Sequence, residues 1–132
     1  MNVYCEQGWI DLLDEYVASG KPSRIRLFAN NHTPLPTDTE ADYVEATFSG
    51  YPGYTPLVWG SAFINPSNQG QVNASQVLWQ HNGGGISELV YGVYITDDDD
   101  VLQYAERFAA AVLMDGSTDS IEYQPRLTLI NQ

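Results

Sequence analysis

The sequence predicts a mainly β protein: a single antiparallel β-sandwich, with or without jelly-roll connections, that carries an N-terminal amphipathic helix. Three observations predict this fold class. Six or seven short segments are rich in β-branched and aromatic residues, turn-rich stretches separate them, and apolar residues recur at helical spacing only near the start. A length of 132 residues suits one domain. We assign residues 1–22 to a helix or arm and residues 23–132 to the sandwich.

Residues 6–17 have the pattern of an amphipathic helix. Trp9, Leu13 and Tyr16 fall on one side at spacings of four and three residues, and acidic residues fall on the other. Gly20 and then Pro22 predict the end of this helix, with the first strand starting near residue 24. Because a helix of about 12 residues is marginal by itself, it must pack either on its own domain or on a neighbouring subunit.

The strand pattern continues along the chain from residue 57. We predict strands over residues 57–64, 76–80, 89–96, 101–109 and 121–130, with 89–96 in the centre of a sheet. Polar turn-rich loops are predicted at residues 65–75 and 81–87, and Thr37 or Asp38 is predicted to cap a short helix that runs through Ala46. Pro125 cannot donate to a strand ladder, so the last strand should lie at an edge or contain a bulge.

The candidate reactive residues do not form a recognisable catalytic or metal-binding pattern. His32 has no second ligand at metal-binding spacing and is expected to be a hydrogen-bonded loop histidine, and Cys5 is expected to be a small buried apolar residue. Asp97–Asp100 lack the spacing of a calcium loop and are expected to form a solvated hairpin tip whose removal changes little. His81 has no nucleophile motif near it. The prediction is therefore a non-enzyme without catalytic residues, metal or cofactor.

The charge of the chain argues against contact with nucleic acid. Five Lys and Arg residues stand against 17 Asp and Glu residues, which gives a formal net charge of −12. Phosphate binding depends on basic side chains, so DNA should repel this chain. The first residues, MNVYCEQGW, have no basic start and no long apolar run, so we expect neither a secretion signal nor a membrane span.

Four segments, LFANNHTP, ADYVEATFSGY, YGVYIT and YAERF, carry a family resemblance. Together they resemble a group of small structural proteins encoded among the virion genes of tailed bacteriophages. The resemblance implies a head decoration (cement) protein, with a tail or baseplate component as the alternative. It also implies synthesis in the host cytoplasm, a place on the outer surface of the capsid, and no catalytic residues.

A decoration protein of this kind would be a homo-oligomer, with a trimer favoured, bound between subunits of the major capsid protein. By binding only the assembled shell, it would stabilise that shell. Aromatic patches and sheet edges favour protein contact, and on that ground the candidate interface residues are Trp9, Leu13, Tyr16, Tyr51, Tyr54, Pro125, Leu127 and Leu129. A further alternative is a carbohydrate-binding module, in which Tyr51, Tyr54, Trp59 or Trp79 would form an exposed ring platform.

Overall fold

The computed structural model describes residues 5–129, and over this range the chain is mainly β with a helix at its N-terminal end. The elements are α1 (Glu6–Ala18), β1 (Arg24–Phe28), a 3-10 helix (Glu40–Asp42), β2 (Thr55–Pro56), β3 (Phe63–Ile64), β4 (Gly70–Asn73), β5 (Val77–Gln80), β6 (Glu88–Thr96), β7 (Leu102–Met114), β8 (Ser120–Tyr123) and β9 (Arg126–Leu129). The strand pairs are antiparallel, which confirms the prediction of a mainly β, antiparallel fold with an N-terminal helix. Ile130, the end of the predicted last strand, lies outside the described residues.

The strands form three sheets. Their orders are β2-β1-β6-β7, β3-β4-β9 and β5-β8. The predicted central position of β6 is confirmed, because β6 pairs with β1 on one side and with β7 on the other. The main core takes buried apolar side chains from β1, β5, β6 and β8, so it joins the first sheet to the third; they include Ile25, Leu27, Trp79, Val93, Ile95 and Ile121.

Helix α1 has nearly the predicted bounds and packs on its own chain, against β4 and β3. Trp9 and Leu13 are each only 4% exposed. Gly70 of β4 admits the helix at this point, since a Cβ on Gly70 would lie 2.7 Å from the Cβ of Trp9. At the other end, Gly20 has a φ of 76°, the left-handed conformation that favours glycine after a helix.

The predicted strand over residues 57–64 is wrong as a continuous element. Only β2 before it and β3 at its end are strands, and between them Trp59 makes a single bridge to Ala74. Val58 is 67% exposed, so the apolar run is not covered on both sides. The indole N–H of Trp59 donates to the carbonyl of Pro22 at 2.7 Å and holds this segment in place without a ladder.

Strand β4 lies in a stretch that was predicted to be a loop. No strand was predicted here because the side chains of this segment are polar. Inside the fold, these side chains make hydrogen bonds to neighbouring side chains. The side-chain amide of Gln71 donates to Asn73 Oδ1 at 2.7 Å, and Gln71 Oε1 accepts a hydrogen bond from Asn65 at 2.9 Å. Buried polar groups with such partners are tolerated, so a strand need not look apolar.

The predicted strand over residues 121–130 is divided between two sheets. β8 pairs with β5, and β9 pairs with β4. Pro125 lies at the change of sheet, where its carbonyl accepts a hydrogen bond from the Ala74 N–H at 2.8 Å. The irregularity predicted at this proline is confirmed, and apolar residues still alternate with exposed ones along both halves.

The short helix predicted to run through Ala46 is limited to Glu40–Asp42. Neither Thr37 nor Asp38 is its N-cap, because that position belongs to Thr39. The backbone N–H of Thr39 donates to the Asp42 carboxylate at 2.8 Å. Within the part of the chain that the structure describes, no helix is long and apolar enough to cross a membrane.

Candidate functional site: a cleft between two sheet edges

Helix α1, strand β7 and strand β9 enclose a cleft of about 250 Å³, which we call the β7–β9 cleft. The side of α1 contributes Leu13 and Tyr16, β7 contributes Gln103 and Tyr104, and β9 contributes Arg126–Leu129. Four of the eight predicted interface residues therefore meet around one concavity: Leu13, Tyr16, Leu127 and Leu129.

Two strand edges line this cleft. β7 is the last strand of the four-stranded sheet, and β9 is the last strand of the three-stranded sheet. Among residues 5–129, β7 pairs only with β6, and β9 pairs only with β4. An edge strand presents backbone N–H and C=O groups that can pair with another chain.

A hydrogen bond between α1 and β7 fixes one side of the cleft. The Tyr16 hydroxyl donates to Gln103 Oε1 at 2.8 Å. Burial raises the pKa of the Tyr16 phenol, and the nearby charge of Asp97 raises it further. The phenol therefore stays neutral and remains a donor at physiological pH, so this link between helix and sheet persists.

A tyrosine–glutamate cluster connects β7 to β8 beside the cleft. The Glu106 carboxylate accepts hydrogen bonds from the Tyr104 hydroxyl at 3.1 Å and from the Tyr123 hydroxyl. Burial raises the pKa of both phenols, and the hydrogen bond to Glu106 raises that of Tyr123 further. The Tyr123 ring also packs against Phe108, with 6.3 Å between ring centroids. These contacts hold Tyr104 in a defined position on the cleft wall.

Arg126 is the one charged side chain that lines the cleft. Its guanidinium has no carboxylate within ion-pair distance in the described range, whereas Arg24 and Arg26 both have one. Arg126 is exposed, and its guanidinium can offer charge-assisted hydrogen bonds to a carboxylate on a ligand in the cleft.

The other predicted interface residues lie elsewhere or beneath the surface. Trp9 is buried under α1, and Pro125 is buried at the start of β9. Tyr51 is held inside, because its hydroxyl donates to Glu45 at 2.9 Å and accepts from the Leu27 N–H at 3.2 Å. Tyr54 is 44% exposed, but it lies under the guanidinium of Arg24 near β2, not at the cleft.

The four rings that could have formed a glycan platform do not share one surface. Trp79 is only 1% exposed and belongs to the main core. Trp59 is partly buried and bonded to Pro22, and Tyr51 is bonded to Glu45. Tyr54 is left as the one well-exposed ring among them, and one ring does not make a stacking platform.

Sequence reasoning missed a second cleft, of about 330 Å³, on the other side of Gln103 and Tyr104. The loop around Pro34–Pro36 forms one wall of it. Asp38, whose side chain is 5% exposed, organises this loop by accepting hydrogen bonds from His32 Nε2 at 2.7 Å, the Tyr43 hydroxyl at 2.7 Å and the Leu35 N–H at 2.9 Å.

These hydrogen bonds lower the pKa of the Asp38 carboxyl below its usual value. The bond from His32 has the largest effect, and the bond from the Leu35 N–H has the next largest. The interpretation of His32 as a hydrogen-bonded loop histidine is confirmed. The sequence signal that could have located the cluster was the spacing of His32, Asp38 and Tyr43 around a proline-rich turn.

The Asp97–Asp100 turn joins β6 to β7 and is largely exposed, as predicted for a solvated hairpin tip, but it is also tied to the fold by hydrogen bonds. Asp97 Oδ1 accepts hydrogen bonds from the N–H groups of Asp99 at 2.8 Å and Val101 at 2.9 Å. Asp100 pairs with the largely buried guanidinium of Arg26 at 2.9 Å. These contacts predict that removal of the tip destabilises the hairpin, contrary to the expectation that removal changes little.

In the described part of the chain, no three His, Cys, Asp or Glu side chains come together as metal ligands. Cys5 is exposed, not buried as expected, because it precedes α1 and lies outside the contact between that helix and β4.

Comparisons with known proteins return no relative of this chain: no family model matches it, and neither a curated protein nor a solved structure matches it.

Proposed function

We propose that this chain is a structural protein of a tailed-phage virion that decorates the outer surface of the capsid. It acts as a homo-oligomer, with a trimer favoured, bound to the major capsid protein. It stabilises the shell without catalysis and without contact to nucleic acid or membrane. The four segments that resemble small virion proteins of tailed phages suggest this class.

The observation that carries the proposal is the convergence at the β7–β9 cleft. Leu13, Tyr16, Leu127 and Leu129 were predicted as contact residues one by one, and they line one cleft beside two unpaired strand edges. Apolar side chains next to free backbone groups are what a protein partner uses for docking. The charge of −12 favours the outer surface, away from packaged DNA.

We also propose that the fold is one sandwich, in which the four-stranded sheet and the β5-β8 pair are the two facing layers. The main core is shared by strands of the four-stranded sheet and of the β5-β8 pair, with Val93 and Ile95 on one side and Trp79 and Ile121 on the other. A body that is held together by one core can transmit load between its contacts. That property suits a protein that spreads the outward pressure on a shell over several subunits.

The mechanism is mass action. A protein that binds the assembled shell but not free shell subunits stabilises the shell by an amount that grows with occupancy, about 2.7 kcal/mol per site at a concentration of one hundred times Kd. No chemical step is required.

The test is adsorption of the purified chain to expanded empty heads of the phage that encodes it, measured by co-sedimentation. The variant carries Leu127→Ser and Leu129→Ser, and its matched control carries Val58→Ser and Leu78→Ser at exposed apolar positions outside the cleft lining. Loss of two apolar contacts should cost about 2 kcal/mol, or about a thirtyfold weaker Kd. The control should bind like the parent chain.

Circular dichroism and thermal melting establish that both variants are folded before binding is compared. The proposal fails if the parent chain does not adsorb to heads, or if it is a monomer that is missing from purified particles. Electron microscopy of the particle separates head from tail: density at the tail or baseplate would replace the capsid site with the alternative location.

A further inference from the structure

The β7–β9 cleft has the shape and the exposed groups of a site for one more strand. The sheets β2-β1-β6-β7 and β3-β4-β9 end at β7 and β9, and both of these strands line the cleft. A strand placed between them would meet, on each side, an edge that has no partner among residues 5–129. It would join two separate sheets into one, in the order β2-β1-β6-β7, added strand, β9-β4-β3.

The two strand edges favour an extended occupant over a helical one. The β9 segment that lines the cleft, Arg126–Leu129, has four residues and is about 13 Å long at the rise of a strand. A helix bonds its backbone N–H and C=O groups internally, so it cannot pair with these edges along its length. An added strand can pair with them, and it turns every second side chain out of the groove.

The lining defines the side chains of the occupant. Leu13, Tyr16, Leu127 and Leu129 offer apolar contact, so residues that point inward should be apolar. Arg126 is the single charge of the lining and has no carboxylate within ion-pair distance among residues 5–129. An acidic side chain on the occupant, level with Arg126, would form an ion pair with its guanidinium.

We infer that the β7–β9 cleft receives an extended segment of a partner protein, which adds as a strand to both β7 and β9 and presents a carboxylate to Arg126. The inference deepens the proposed function and rests on it in one respect, the identity of the partner as a shell protein. Strand addition supplies affinity through main-chain hydrogen bonds, while alternate side chains supply specificity.

The test uses the whole chain and a fluorescein-labelled six-residue peptide of alternating valine and threonine with one central glutamate, blocked at both ends. Binding is followed by fluorescence anisotropy. Hydrogen exchange then reports which amides the peptide protects. We expect slower exchange in residues 103–104 of β7 and in residues 126–129 of β9 at the same time.

Two peptide controls separate strand addition from simple apolar binding. In the first, alternate backbone amides are N-methylated, which blocks the N–H groups along one edge of the peptide, and binding should weaken strongly because a strand between two edges uses its N–H groups on both sides. In the second, lysine replaces the glutamate, and binding should weaken because Arg126 repels it.

Two protein variants test the role of the guanidinium. Arg126→Ala should weaken binding of the glutamate peptide by about two- to fivefold, the effect of one partly screened ion pair. Arg107→Ala is the matched control, since the Arg107 guanidinium lies over the Tyr91 ring, 5.3 Å from its centroid, and not in the cleft lining. It should leave the affinity unchanged.

The inference is overturned if the glutamate peptide does not bind at millimolar concentration, if the N-methylated peptide binds equally well, or if protection appears only in other strands. These outcomes do not depend on phage heads. Peptide binding without adsorption to heads would support the strand-addition site and reject the decoration role. Adsorption to heads without peptide binding would support the decoration role and reject the strand-addition site.

Discussion

Gly92 of β6 lies between β1 and β7, and replacing it with alanine should destabilise the fold strongly. A Cβ at this position would lie 2.2 Å from the Glu106 carbonyl oxygen and 2.6 Å from the nearest carbon of the Phe28 ring. Phe28 is fully buried, and its ring contacts Tyr43 with 5.1 Å between centroids. Neither neighbour can move aside without disturbing other contacts.

The size of the effect follows from these two clashes. Overpacking against a buried ring costs about 1–3 kcal/mol. Moving β7 by about 1 Å to release the carbonyl would weaken about two ladder hydrogen bonds, each worth about 1 kcal/mol. Gly92→Ala should therefore lower the free energy of unfolding by about 3–5 kcal/mol, and Tm by at least about 10 °C for a domain of this size.

Urea unfolding followed by circular dichroism measures this loss. Gly85→Ala is the matched control, because nothing lies within 4 Å of a Cβ at that position. It should change stability by less than about 1 kcal/mol. If Gly92→Ala unfolds within about 0.5 kcal/mol of the parent chain, the close approach of the three strands is refuted.

Three further changes test other parts of the fold. His81→Phe should lower the free energy of unfolding by about 2–3 kcal/mol, because His81 is buried and its Nδ1 accepts a hydrogen bond from the Gly83 N–H at 2.9 Å. Urea unfolding measures the loss, and an unchanged midpoint would contradict this role of the His81 ring. Asp97→Ala should cost about 1 kcal/mol in a thermal melt through loss of the two hydrogen bonds that close its turn, whereas Asp99→Ala should be neutral; equal effects would reject that role. The pKa of Asp38 is lowered in the folded chain, so the carboxylate stabilises its loop above the ordinary carboxyl pKa and this stabilisation is lost as pH falls through the folded value. An acid titration of near-ultraviolet circular dichroism should therefore show a transition below about pH 4 that Asp38→Asn removes, and persistence of that transition in the variant would assign it to another group.

Local patterns predicted the elements whose side chains face one core. Trp9 and Leu13 recur at helical spacing and both are buried, so α1 could be placed to within a residue at each end. Strand β6 is apolar along most of its length, and that pattern indicated a central position. Both predictions needed only the periodicity of a single segment.

Features that depend on distant partners could not be predicted in the same way. β4 is held by side-chain hydrogen bonds of Gln71 and by pairing with β9, more than 50 residues away. The change of sheet at Pro125 depends on the same pairing, since a proline alone indicates an irregularity and not which strands lie on either side of it. The cleft was missed for a related reason: Leu13 and Leu127 were both predicted as contact residues, but only the close packing of α1 on Gly70 brings them together.

The long-range pairing of β4 with β9, and of β5 with β8, has a consequence for synthesis in the cell. Until residues 120–129 have left the ribosome, β4 has only the two-residue β3 beside it and β5 has no strand partner. At a translation rate of about 5–20 residues per second, both strands wait for several seconds with unpaired backbone. A nascent chain that stalls before residue 120 has left the ribosome should therefore be sensitive to protease at residues 70–80, although β1 and β6 are already in place.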